Sequence, residues 1–199
     1  MRYTGPKRRL SRREGIALFP KDIKSLERKG ATPPGQRGNR MKRRLSEFGL
    51  QLREKQKTKR MFGMSEKQFE GVVKKADRAK TATGQTLLEN LELRLDNVVY
   101  RLGFAKSRME ARQLVSHGHI VVDGKKLSIP SAKVAINSTV AISLKFVDNT
   151  QVQKNLEESR DIPGWLDKKA QTGKVLRLPQ RAEMETVVNE QLIVEYYSR

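Results

Sequence analysis

Residues 86–131 read TLLENLELRLDNVVYRLGFAKSRMEARQLVSHGHIVVDGKKLSIPS, and this stretch decides the fold. Thr86-Leu87-Leu88-Glu89 has the form of a capping box, a hydroxyl followed three residues later by a carboxylate. Behind it Leu88, Leu91, Leu95, Val98 and Leu102 recur at spacings of 3 and 4, the apolar stripe of one helix. Asn90, Arg94, Asn97 and Arg101 keep a similar spacing on a polar face. Gly103 ends that helix, and Ser107-Arg108-Met109-Glu110 opens a second through another capping box. Its inward residues are Ala111, Leu114 and Val115, with Arg108 and Arg112 one turn apart on a common side. After Gly118, His119 to Val122 and Lys125 to Ile129 read as two strands. Asp123-Gly124 between them is a hairpin signal, because a two-residue type I′ turn needs positive φ at both positions. The expected unit is helix, helix, hairpin, with guanidinium groups displayed on the helices and Lys125-Lys126 beside the turn.

Charge indicates what such a unit would meet. The 199-residue chain is long enough for one or two domains, and its formal net charge of +20 favours polyanions, nucleic acid first and an anionic membrane surface second. The excess is uneven: residues 1–62 hold 20 basic and 5 acidic side chains, whereas residues 63–199 hold 22 and 17. No apolar run approaches the ~18 residues of a membrane span, and no apolar signal core follows the start, so a cytoplasmic location is expected. There is no cysteine, hence no disulfide and no thiolate metal site.

Working outward, residues 1–44 read as a basic extension with little core of its own, ordered by a partner. Thr32-Pro33-Pro34-Gly35 and Gly38 break any helix there, and isolated Tyr3, Ile16, Leu18, Phe19, Ile23 and Leu26 argue for some packing. Leu45, Phe48 and Leu52 begin a helix that continues through a basic stripe of Arg53, Lys57 and Arg60 to Gly63. Ser65-Glu66-Lys67-Gln68 caps another, with Phe69, Val72, Val73 and Ala76 as its apolar face. Beyond Ser131, alternation from Val134 to Leu144 reads as further strand, and Asn149 to Arg160 as a short helix with Val152 and Leu156 inward. Lys174 to Leu178 and Gln191 to Tyr197 are strand candidates, while Arg181 to Asn189 is ambiguous.

The central arrangement resembles the S-four-type RNA-binding domain through Leu91-Glu92-x-Arg94-Leu95, Val99-Tyr100-Arg101, Ala105-x-Ser107, Ala111-Arg112-x-Leu114-Val115 and the glycine-turned hairpin. With Arg2-Tyr3-x-Gly5-Pro6-Lys7, Ser11-Arg12-Arg13-Glu14-Gly15, Pro34-Gly35-Gln36, residues 51–57 and Leu192-Ile193-Val194-Glu195-x-Tyr197-Ser198, nearly the whole chain resembles the S-four family of bacterial small-subunit ribosomal proteins. The resemblance implies an α+β protein: a helical body at 45–85 completed by 179–199, an inserted domain at 86–178 holding the module (about 91–150), and the extension 1–44. The module would contain two helices and a small, mainly antiparallel sheet. The family is an early-binding rRNA protein at a multi-helix junction in the 5′ domain of small-subunit rRNA. It contacts ribosomal protein S-five and other small-subunit proteins, helps line the path by which mRNA enters, and supports translational accuracy. Some members hold zinc on four N-terminal cysteines; this chain has none, so no metal or cofactor is expected.

No catalytic group is needed for such a role. Phosphates are met by Lys and by the planar fork of Arg, and a folded junction is recognised through shape, backbone and 2′-hydroxyls. Expected RNA-binding residues are Arg2, Lys7, Arg8, Arg9, Arg12, Arg13, Arg53, Lys57, Arg60, Arg94, Arg101, Lys106, Arg108, Arg112, His117, Lys125 and Lys126. Arg40, Lys42, Arg43 and Arg44 lie where the family's mRNA-entrance cations fall. Alanine at Arg94, Arg108 or Arg112 is expected to make the salt dependence of RNA binding shallower. Tyr3, Tyr100 and Phe104 read as core or boundary residues rather than base-stacking ones.

Competing readings find less in the residues. His117-x-His119 lacks a third ligand type nearby, and the adjacent Glu157-Glu158 point apart on a helix; no P-loop, Gly-x-Ser-x-Gly or dinucleotide turn is present. The same module occurs attached to pseudouridine synthases and tyrosyl-tRNA synthetases, but the tail from Phe146 is too short for such a catalytic domain. A membrane-surface polybasic protein, a free-standing RNA-binding module and a translational repressor are the remaining alternatives.

Overall fold

A computed structural model describes residues 3–29, 32–35, 44–79, 81–158, 161–185 and 187–198. In chain order its elements are helices α1 (Lys7–Glu14), α2 (Ile23–Lys29), α3 (Glu47–Met61), α4 (Glu66–Asp77), α5 (Thr83–Glu92), α6 (Leu95–Arg101) and α7 (Arg108–Ser116), strands β1 (Ile120–Val122), β2 (Lys125–Lys126) and β3 (Thr139–Ile142), helix α8 (Thr150–Glu157), strands β4 (Leu166–Lys169) and β5 (Thr172–Val175), and helix α9 (Glu190–Tyr197). Single 3-10 turns occur at Pro20–Asp22, Leu144–Phe146 and Arg181–Glu183. The chain divides into two compact units, Met1–Gly84 with Val187–Arg199, and Gln85–Thr186.

The first unit is helical. Local chemistry starts its helices: Ser46 accepts the Gly49 N–H at 3.2 Å ahead of α3, and Ser65 with Gln68 forms the expected reciprocal box ahead of α4. Phe69, Val73 and Ala76 of α4 are buried, as their spacing predicts. On α3 the buried residues include Gln51, Lys55 and Thr58, while Leu45 and Phe48 at its start are about half exposed. Where the extension is described it is folded. Leu10 and Leu18 are buried, and the Ser11 hydroxyl donates to Asp22 inside that small core. Glu14, its side chain only 2% exposed, ties α1 to Arg53 and Arg60 of α3.

The expected strand at Gln191 to Tyr197 is instead helix α9. Its β-branched and aromatic content favours a strand, but Asn189 caps the segment by accepting the Gln191 N–H at 3.1 Å, and fully buried Ile193 faces the body. Glu54 accepts the Asn189 N–H at 2.8 Å, Gln51 donates to Glu195 at 3.0 Å, and the Lys55 ammonium lies 4.2 Å from the Tyr196 ring centre. Gln51 of the buried polar face of α3 meets this helix, while Lys55 also pairs with Glu66 of α4 at 2.8 Å. Tertiary partners, not propensity, chose the conformation.

The second unit is α+β. Among the described residues its sheet has the order β2-β1-β3-β5-β4, every neighbouring pair antiparallel. β1 and β2 form the expected hairpin, Val121 opposite Lys126 and Val122 opposite Lys125, with Asp123 at φ 48° and Gly124 at φ 77°. Val98, Leu102, Phe104, Val115, Ile120, Val140 and Trp165 lie at the centre of one buried cluster. β4 was not foreseen, and only Thr139–Ile142 of the alternating run Val134 to Leu144 forms a strand.

The single helix expected from Thr86 to Leu102 is two helices. α5 starts at Thr83, ahead of the presumed cap, and the chain breaks at Leu93-Arg94. There the backbone turns to a neighbouring segment: Leu95 N–H donates to Ala132 O at 2.8 Å, Asp96 N–H to Pro130 O at 3.1 Å, and Val134 N–H to Leu93 O at 2.9 Å. No Gly or Pro marks the break. The trace in the sequence is the alternation Leu91, Leu93, Leu95, a strand-like period inside a helical one, and all three leucines are fully or almost fully buried.

Candidate nucleic-acid interface

The break between α5 and α6 creates the first feature of the site, because it folds Arg94 back beside Asp96. Arg94 donates from Nε to Asp96 Oδ1 at 3.1 Å and from Nη2 to Oδ2 at 2.9 Å, and both side chains are only 6% exposed. Arg112 of α7 reaches the same carboxylate, Nε at 3.0 Å and Nη2 at 2.7 Å from Oδ2. A second cluster lies alongside. Arg101 grips Glu92 with two bonds of 3.0 and 2.8 Å and meets Glu185 at 3.2 Å. Arg108 donates to Asn97 Oδ1 at 2.7 Å, pairs with Glu185, and lies 4.7 Å over the Tyr100 ring. Asn97 in turn donates to Glu92 Oε2 at 2.6 Å.

These arginines therefore hold the module together instead of standing free on its helices. Burial works against the Arg101 charge, yet Glu92 outweighs it and raises the pKa above the usual arginine value. Burial likewise opposes the Glu185 charge, but Arg108 and Arg101 outweigh it and hold the carboxyl below its usual range. A phosphate would gain from the outer edges of this cluster only by sharing arginines already engaged. Sequence reasoning put Asn97 on the polar face and Glu92 in the module's motif but assigned neither a partner, and it did not single out Asp96 or Glu185. Glu92 and Arg101 are nine positions apart, and Glu185 lies 77 from Arg108, so neither partnership has a local signature.

The exposed cations are elsewhere. Lys7, Arg8, Arg9 and Arg13 of α1 are exposed, and Arg12 donates to the carbonyls of Thr32 and Pro33 at 2.9 and 3.2 Å. Arg53 and Arg60 engage Glu14; Lys57 meets Glu54 at 2.6 Å and donates to Val187 O at 2.8 Å. In the second unit Lys106, His117, Lys125 and Lys126 are exposed around the ends of α7 and the hairpin. Ser107 caps α7 by accepting the Glu110 N–H at 3.3 Å, and Glu110 reaches past the cap to accept the Lys106 N–H at 2.7 Å. Of the four mRNA-entrance candidates, Arg44 is exposed, while Arg40, Lys42 and Arg43, like Arg2, lie outside the described residues.

The aromatic residues divide differently. Phe104 is fully buried, Tyr100 is half-buried beneath Arg108, and Tyr3 is 50% exposed. The rings of His117 and His119 are 5.9 Å apart, and among the described residues no group of three or more His, Cys, Asp or Glu could hold a metal ion. Among the same residues no helix is long and apolar enough to cross a membrane.

Comparison with known proteins matches this architecture in two parts. Residues 2–92 match the family described as "Ribosomal protein S4/S9 N-terminal domain", and residues 93–140 match the "S4 domain". The chain is 49% identical over 210 residues to "Small ribosomal subunit protein uS4A" of Symbiobacterium thermophilum, covering 100% of this chain and 99% of that protein. It is 48% identical to "Small ribosomal subunit protein uS4" of a Thermoanaerobacter species over 206 residues and of Dictyoglomus turgidum over 205, with the same coverage.

Proposed function

We infer the role of this chain from the family to which it belongs, the uS4 family of small-subunit ribosomal proteins. It is a structural, RNA-binding constituent of the small ribosomal subunit and not an enzyme. Full-length similarity at 49% identity carries that conclusion. The finer reading is ours: the protein is a primary rRNA binder on the cytoplasmic ribosome, nucleating assembly at a junction in the 5′ domain of small-subunit rRNA. It also adjoins ribosomal protein S-five and contributes to translational accuracy. Exposed Lys7, Arg8, Arg9, Arg13, Lys106, Lys125 and Lys126 support the rRNA reading, since exposed cations can neutralise phosphates without surrendering an internal pair. Footprinting the purified chain on small-subunit rRNA tests it. Protection concentrated at a 5′-domain junction is expected, and protection scattered over the whole rRNA would refute the nucleation role.

Arg40, Lys42, Arg43 and Arg44 form an mRNA-entrance patch in this reading. Four cations in five positions precede α3, and α1 already offers separate cations for anchoring to rRNA. Replacing all four by alanine should spare subunit yield while slowing translation through hairpin-containing messages. Poor assembly with normal hairpin passage would assign them to rRNA instead.

A further inference from the structure

α7 ends at Ser116, and the chain reverses through His117, Gly118 and His119 into β1. Gly118 is required there by its φ of 73°, and the flexible end of the Lys126 side chain crosses over it. The reversal sets the His117 ring edge-on to His119, and His119 lies flat on Phe146, ring centres 3.7 Å apart and planes 11° from parallel. The backbone fixes this stack. Ser143 N–H donates to His119 O and Phe146 N–H to Ser143 O, both at 2.8 Å. His119 and Phe146 are half-buried, whereas His117, Lys125 and Lys126 are exposed.

Phe146 also packs against the buried cluster, so an aliphatic cover would satisfy its apolar surface. A parallel imidazole does more than cover it, because it continues a π-stack outward to the Lys126 ammonium, which crosses Gly118 next to His119. Burial, with His117 and Lys126 nearby, holds the His119 pKa below its usual value. Aromatic faces interleaved with cations are the means by which proteins hold unpaired nucleotides. We propose that His119 and Phe146 form a stacking platform for an unpaired RNA nucleobase, with Lys126 holding a phosphate beside it and His117 at its edge. The platform rests on the RNA-binding reading above and adds to it a place where a base, not only the backbone, is bound.

The test titrates the full chain with hexaadenylate and with the same ribose-phosphate chain lacking bases, followed by NMR of the ring protons and by affinity. Hexaadenylate should move the His119 and Phe146 ring protons upfield, and the baseless chain should not. His119→Ala and Phe146→Leu should each weaken hexaadenylate binding about 5- to 150-fold, as for loss of one stacked base, without changing the salt slope. His119→Tyr should retain it. Lys126→Ala should instead weaken both oligomers and make the slope shallower by roughly 0.7. Equal ring shifts with both oligomers, or wild-type affinity in folded His119→Ala or Phe146→Leu, would overturn the platform while leaving RNA binding intact. Failure of the wild-type chain to bind either oligomer would overturn the platform, whereas the rRNA reading stands or falls on the footprint.

Discussion

Two guanidinium groups converge on the Asp96 carboxylate, which is 6% exposed, and that geometry sets the consequence of losing each partner. Removing one side of a buried ion pair costs about 3–5 kcal/mol because the remaining charge stays desolvated and unmatched. Asp96→Ala takes the shared carboxylate from both Arg94 and Arg112, whereas Arg94→Ala leaves Asp96 with Arg112. Urea unfolding should therefore show a loss of about 3–5 kcal/mol for Asp96→Ala and a smaller one for Arg94→Ala. The reverse order would mean that Asp96 does not organise the pair. Glu66 makes a pH-dependent contribution. Burial pushes its carboxyl up, but hydrogen bonds from Lys55 and Lys59 outweigh that and bring it down to about 2 from 4.5. A depressed folded pKa means the stabilisation is present above about pH 4.5 and is lost as the pH falls towards 2. With the Glu66 side chain 46% exposed, solvent screening keeps the effect small. Melting curves of wild type and Glu66→Gln should differ at neutral pH and converge in acid. A gap independent of pH would rule this pairing out as the source.

At the scale of elements, α1 behaves as part of the first unit rather than as a loose tail. Glu14 meets Arg53 and Arg60 of α3, and Leu10 and Leu18 are buried. Deleting residues 1–44 removes that carboxylate and leaves two arginines of α3 facing each other without it. Hydrogen exchange should then show faster opening of α3 amides, with α6 and α7 amides protected as in the full chain, together with weaker rRNA binding. Unchanged protection of α3 would mean that the extension contributes nothing to the body. The module's elements teach a complementary point. The hairpin turn and the caps at Ser65 and Ser107 are legible because each is written in residues next to one another.

For the whole molecule, the net charge of +20 predicts steep salt dependence. Neutralising ~6–10 phosphates should lose on the order of 10³–10⁵ in affinity between about 50 and 200 mM salt, by analogy with duplex binding. Alanine at Lys7, Arg8, Arg9 and Arg13 should make that slope shallower. Arg94→Ala, expected from sequence to do the same, should change stability and leave the slope nearly as it was, since the guanidinium is 6% exposed and committed to Asp96. Filter binding across a salt series separates the two. An equal slope change from Arg94→Ala would place that arginine on phosphate after all.

Composition, the caps at Ser65 and Ser107 and the hairpin's turn chemistry showed a basic chain suited to polyanions and its local helix starts and reversal, and the α+β RNA-binding reading was implied by the resemblance of its residues to the S-four family. They act through charge and through neighbours in the chain, so they survive without knowledge of the fold. Three features were decided only in three dimensions. The α5–α6 break depends on backbone bonds to residues 130–134, roughly forty positions away. α9 is a helix because α3 offers it a polar, buried face. The module's arginines turn inward because Glu92, Asp96 and Glu185 meet them there, and a desolvated guanidinium is held by its carboxylate wherever in the chain that carboxylate lies.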